Sequence, residues 1–247
     1  MPPWSLALLS GAVGGATLLL GAALAWLVRV PPKLTAAISA FGAGVLISAL
    51  AYELVQEAAD DGGLLPTVLG TLVGAIVFVG ADALLTRAGA GDRKSSKGTG
   101  GGGGAAIAAG ALIDGIPESI VLGLSVAQGG AGAAISVPIV AAVAISNLPE
   151  GLSSTVGMKA DGRSARYVFT VWGGIAALSA IAALVGFLVF ASAPGAVVAF
   201  VTTIAAGAIL AMISNTMIPE AFDKDDVLTG LYAVLGFITA FVLHSVG

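Results

Sequence analysis

Apolar residues run along this chain in long unbroken tracts rather than in alternation, and the polar positions gather in short intervals between them. A bilayer core takes about 20 apolar residues per helix. On that ruler the tracts divide into eight predicted membrane helices, at residues 5–28, 35–57, 64–86, 105–128, 133–158, 167–191, 196–221 and 227–246. Barrel strands would alternate apolar and polar positions, and these tracts do not. The first tract has no basic residue ahead of it and exceeds the length of a signal-peptide core, so it is predicted to stay as a membrane helix. The expected fold class is an all-α polytopic membrane protein, with one transmembrane domain over residues 1–247.

Composition sharpens this picture. With 57% hydrophobic and 10% charged residues and a mean hydropathy of +1.04, the chain lies outside the range of soluble domains. The 36 glycines suit helices whose backbones approach closely in lipid. The absence of cysteine removes disulfides and thiolate metal ligands. The net charge of −4 matters less than where the charges fall.

Arg29 and Lys33 fall in the first predicted loop, and Arg87, Arg93, Lys94 and Lys97 in the third. Lys159, Arg163 and Arg166 fall in the fifth, and Lys224 in the seventh. All lie in odd-numbered loops, which the positive-inside rule places in the cytoplasm, with both termini outside. The expected location is the plasma (inner) membrane. The stretch GDRKSSKGTGGGGG lacks the order of a phosphate-binding loop. Residues 88–104 are therefore expected to form a flexible Gly/Ser-rich cytoplasmic loop.

An internal echo links the second and seventh tracts. Ala43-Gly44 precedes Glu57-Ala58 by the same spacing that separates Ala206-Gly207 from Glu220-Ala221. Those tracts cross the membrane in opposite directions, so the echo is expected to mark an inverted repeat.

The chemistry sits in the fourth and fifth tracts, ALIDGIPESIVLG and AISNLPEGLSSTVG, which share Ile-x-x-hydrophobic-Pro-Glu. A proline inside a helix releases the carbonyl four residues back. Asp114 and Glu118 lie one helical turn apart on one face; Ser146, Asn147 and Glu150 share another. A hairpin centred near Gly132 would bring the two faces level at mid-membrane. An acidic residue at the centre of a membrane helix costs about 2.5–3.5 kcal/mol, so three approach roughly 10. With every Lys and Arg in a loop, protons, hydrogen bonds or an exchangeable cation must compensate.

Eight spans, external termini, a long third loop and Pro-Glu kinks in spans four and five resemble the ZIP (ZRT/IRT-like) metal transporters over essentially the whole chain. In that family the fourth span usually carries His-Asn-x-Pro-Glu-Gly and the fifth His- or Gln-x-x-Pro-Glu-Gly. Here the strings are Asp114-Gly115-Ile116-Pro117-Glu118-Ser119 and Ser146-Asn147-Leu148-Pro149-Glu150-Gly151. The resemblance implies a bundle in which helices 1–3 and 6–8 form an inverted repeat around helices 4–5. It also implies metal positions at Asp114, Glu118, Ser146, Asn147 and Glu150, inward transport, and a homodimer. The Pro-Glu pairs are retained and the histidines are not. An all-oxygen site suits magnesium, calcium and manganese, and carboxylates also ligate zinc and iron. The sixth span has no acidic residue, so one central ion is expected rather than two, and the family's His-rich third loop is missing.

Glu53, Glu57, Asp60 and Asp61 cluster at the outer end of span two, and Glu220, Asp223, Asp225 and Asp226 at the inner end of span seven. These clusters read either as cation vestibules or as solvated helix ends. Glu53, Glu57, Asn215, Thr216 and Glu220 are the weaker pathway candidates. His244, the single histidine, reads as an interfacial residue. The expected function is transport of a divalent metal such as zinc, manganese or iron into the cytoplasm, with no resident cofactor, no enzymatic activity and no nucleic-acid partner. The lipid bilayer and the metal ion are its expected partners. The alternatives are a proton-coupled small-solute transporter and a non-transporting protein with a structural or sensing cation site.

Overall fold

The computed structural model describes residues 1–87, 103–128, 134–225 and 227–246. Eight helical segments follow one another, with no strand among the described residues. They are α1 (Pro3–Leu27), α2 (Pro32–Gly62), α3 (Leu64–Leu85), α4 (Gly103–Gln128), α5 (Val137–Ala160), α6 (Ala165–Phe190), α7 (Gly195–Asp223) and α8 (Thr229–Val246). Seven of these are long and apolar enough to cross a membrane, and α8 is a shorter apolar helix. The chain is thus an all-helical, integral membrane bundle.

Local chemistry accounts for the boundaries. Proline opens α1 and α2, where its missing N–H costs no helical bond. Ser136 and Ser164 cap α5 and α6 by accepting from Ile139 N and Tyr167 N. Gly63 (φ +93°) separates α2 from α3, and Gly162 (φ +74°) turns the chain between α5 and α6. Both hold the left-handed backbone that side chains disfavour. The predicted loop at 88–104 starts α4 two residues early, because Gly103 and Gly104 already belong to the helix; residues 88–102 lie outside the described residues, as does the hairpin centre at Gly132. Arg93, Lys94, Lys97 and Asp226 also lie outside them. Every described Lys and Arg sits between helices or within a first or last turn.

Two of the predicted spans are longer and less regular than expected. In α2 the α-helix Pro32–Ala49 gives way to a π-helical stretch, Leu50–Gln56, before Glu57–Gly62. In α7, Gly195–Met212 passes through π-helical Ile213–Met217 into Ile218–Lys224. The π stretches start at equal distances beyond Gly44 and Gly207, the glycines of the sequence echo. π segments interrupt regular helices chiefly where function needs an irregular wall.

Packing sorts the helices into two groups. α1 lies along α5 and α6, and α6 along α4; separately, α3 lies along α7 and α8 along α2. Reciprocal glycines make these crossings close. A Cβ on Gly44 would overlap the Ala233 carbonyl, and one on Gly236 the Phe41 carbonyl; Gly207 and Gly74 meet the carbonyls of Thr71 and Ile204 in the same way. Gly21 with Gly151 and Gly123 with Gly186 lock the first group by the same device. Between the groups, α2 crosses α5 at Gly42, where a Cβ would stand 3.3 Å from the Ile145 carbonyl oxygen. The Gly42 crossing is therefore looser than the reciprocal glycine crossings within the groups.

The first group has a polar anchor as well. Trp172 of α6 is fully buried, and its Nε1 donates to Thr155 Oγ1 of α5 at 2.9 Å. Lys159, in the last turn of α5, donates to the Trp26 carbonyl oxygen at the end of α1 at 3.0 Å and lies 5.2 Å from the centre of its ring. Removing the indole donor while leaving Thr155 buried should cost about 2 kcal/mol. Trp172→Phe is thus expected to lower the detergent unfolding midpoint, whereas Trp4→Phe at an exposed position should leave it in place.

Candidate metal centre

Pro117 and Pro149 lie inside α4 and α5. Each leaves the carbonyl four residues back, Ile113 or Ile145, without its helical N–H partner. The Ile145 carbonyl faces Gly42 of α2, so this released oxygen lies at the seam between the helix groups. In that seam lies a cavity with room for about one water-sized sphere, roughly 10 Å³.

Its walls come from four helices: Ser39 of α2, Glu118 of α4, Ser146, Pro149 and Glu150 of α5, and Met212, Met217 and Glu220 of α7. Three of the five residues predicted as metal positions therefore line one space. Glu118 and Ser146 are buried and Glu150 half-buried. Ser146 Oγ donates to the Val143 carbonyl oxygen at 2.9 Å, which aims its proton along its own helix and leaves the hydroxyl oxygen as an acceptor.

The other two predicted positions are buried but outside the lining. Asp114 is 3% exposed, one turn before Glu118. Asn147 Nδ2 donates to the Gly14 carbonyl oxygen at 3.0 Å, so this amide ties α5 to α1. A Cβ on Gly14 would crowd Val143 and Leu122, at 3.2 and 3.3 Å. Among the described residues, no three His, Asp or Glu side chains stand close enough together to cage a metal ion.

The weaker candidates divide. Glu220 lines the cavity and accepts a 2.7 Å hydrogen bond from Ser153 Oγ of α5. Asn215 is exposed and Thr216 half-buried, and neither lines the cavity. Glu53 is buried in the π stretch of α2 and pairs with His244 Nδ1 of α8 at 2.5 Å. Tyr52 stacks on that imidazole, with ring centres 5.6 Å apart and planes 24° apart. The reading of His244 as a simple interfacial residue missed this pair, which joins positions at opposite ends of the sequence. Glu57 is exposed nearby.

Sequence reasoning also passed over Met212 and Met217. Met212 precedes the π stretch of α7 and Met217 ends it, and both line the cavity. Asp82, half-buried near the C-terminal end of α3, was likewise not singled out. Compared with known proteins, the chain matches no family model and no curated protein.

Proposed function

We propose that this chain is a divergent ZIP-like transporter that carries a divalent metal cation across the membrane through the seam between its two helix groups. The observation that carries this reading is that Glu118, Glu150 and Glu220 line one cavity, in a bundle whose described Lys and Arg residues sit between helices or in a first or last turn. Carboxylates at that depth favour a cationic occupant. A cavity with room for about one water has no space for a hydrated ion, so the ion sheds water and takes protein oxygens in exchange. Ser146 offers a neutral oxygen beside the carboxylates.

The inverted repeat of helices 1–3 and 6–8 around helices 4–5 belongs to the same reading. It is supported by the matched π stretches and by the Gly44–Gly236 and Gly207–Gly74 crossings, which correspond when α2 is exchanged for α7 and α3 for α8. Transport then moves α1, α4, α5 and α6 against α2, α3, α7 and α8, with the looser Gly42 crossing as part of the sliding surface. External termini follow from the positive-inside distribution of Lys and Arg, whereas inward direction and a homodimer come with the family resemblance. Nothing in the reading calls for enzymatic chemistry.

Purified protein in liposomes tests it. Saturable entry of zinc, iron(II), manganese or cadmium is expected, abolished in Glu118→Ala. Tight metal binding without flux would instead assign a structural or sensing site. Flux of protons with a small solute, lost in Glu118→Gln while metal binding persists, would assign the proton-coupled alternative.

A further inference from the structure

The cavity wall is not built of oxygen alone. Met212 and Met217 stand on it with Glu118, Glu150 and Glu220. The chain has four methionines, at positions 1, 158, 212 and 217, and Met158 packs in a separate cluster around Trp172. Half of the sulfur in a cysteine-free protein thus borders one small cavity. Both side chains are also buried in the core, Met212 at 2% and Met217 at 6% exposure, so apolar packing accounts for their burial. Packing does not account for the choice of methionine. The surrounding core is otherwise filled by Ala, Val, Leu and Ile with one Phe, and leucine has nearly the same volume.

A thioether differs from leucine in offering a soft, polarizable lone pair. Carboxylates alone favour hard ions such as magnesium, calcium and manganese, whereas sulfur draws the site toward softer metals. The acidic groups near the cavity supply charge for any divalent ion, but no three of the described His, Asp and Glu side chains make a cage, so further donors have a place. Met212 immediately precedes the π stretch and Met217 is its last residue, on the helix that also brings Glu220.

Resting on the transport reading above, we propose that Met212 and Met217 set the metal preference of this cavity, their thioether sulfurs joining carboxylate oxygens around a soft or borderline divalent ion such as cadmium, zinc or iron(II). Magnesium and calcium gain nothing from these donors and are discriminated against. Substrate choice is then written on α7, outside the Pro-Glu segments of α4 and α5.

Two measurements test the proposal on full-length protein. X-ray absorption at the cadmium edge of the wild-type complex should report sulfur among the nearest neighbours, a readout that needs no variant. Competition titration of cadmium against manganese should favour cadmium in the wild type. The ratio should fall at least tenfold, or about 1.4 kcal/mol, in the Met212→Leu/Met217→Leu double variant, whose folding is checked by gel filtration. Cadmium bound by oxygen and nitrogen only, with an unchanged ratio in the variant, overturns the role of sulfur and leaves metal transport standing. Failure of the wild type to bind any of these metals overturns both.

Discussion

Glu150→Ala is expected to weaken divalent metal binding at least tenfold, about 1.4 kcal/mol, and to bring metal flux into liposomes to background. Glu150 lies beside Pro149 on the cavity wall that Glu118 and Glu220 also line. Removing it takes away one of the carboxyl groups that line the cavity, in a region where packed helices leave little screening. Glu150→Gln keeps the volume and one carbonyl oxygen, so it should fall between the wild type and alanine. Isothermal titration with cadmium, zinc and manganese reads the first quantity and stopped-flow uptake the second. Unchanged titrations in both variants would remove Glu150 from the site.

Gly207→Ala and Gly44→Ala should be among the most damaging single methyl groups in the bundle. At either position the new Cβ would overlap a backbone carbonyl of the neighbouring helix, Thr71 or Ala233. A carbonyl held inside a helix cannot rotate away as a side-chain tip can, so the two helices must separate. Overpacking ordinarily costs about 1–3 kcal/mol, and displacement of a whole helix belongs at the upper end of that range. Gly173→Ala and Gly174→Ala on α6 provide the contrast, since nothing stands within 4 Å of a Cβ there. Those substitutions should leave stability unchanged or raise it by up to about 1 kcal/mol, because alanine orders a helix at lower entropic cost. Thermal unfolding in detergent separates the two classes. Equal effects at Gly207 and Gly173 would contradict the close α3–α7 crossing.

Much of this fold was legible because a bilayer imposes a length on each apolar tract. The tracts opening near Trp4, Leu64 and Tyr167 became α1, α3 and α6 with ends shifted by only a few residues. The π stretches were not legible, since LAYELVQ and ISNTM have the composition of ordinary helix and differ only in hydrogen-bond register. That register brings Met212 and Met217 to the cavity while Asn215, a polar residue between them in the sequence, stays exposed. Candidates chosen for polarity alone in that segment therefore missed the wall. Glu118, Ser146 and Glu150 could be paired in advance because their helices are consecutive and their spacing matches one face. The bond from Asn147 to Gly14 and the pair between Glu53 and His244 join residues far apart in the chain, and no local pattern announces them.

The Lys159 contact with Trp26 has an electrical consequence. An ammonium group seated on a helix end and over an indole marks the water boundary of α5. Residues 150 to 159 span ~14 Å of helix axis, close to half of a hydrocarbon core of about 30 Å. On the proposed transport reading, an ion of charge +2 that reached Glu150 from either surface would therefore traverse about half of the membrane voltage. At 100 mV, that passage is worth about 2.3 kcal/mol, so polarisation alone changes occupancy of the cavity by more than tenfold.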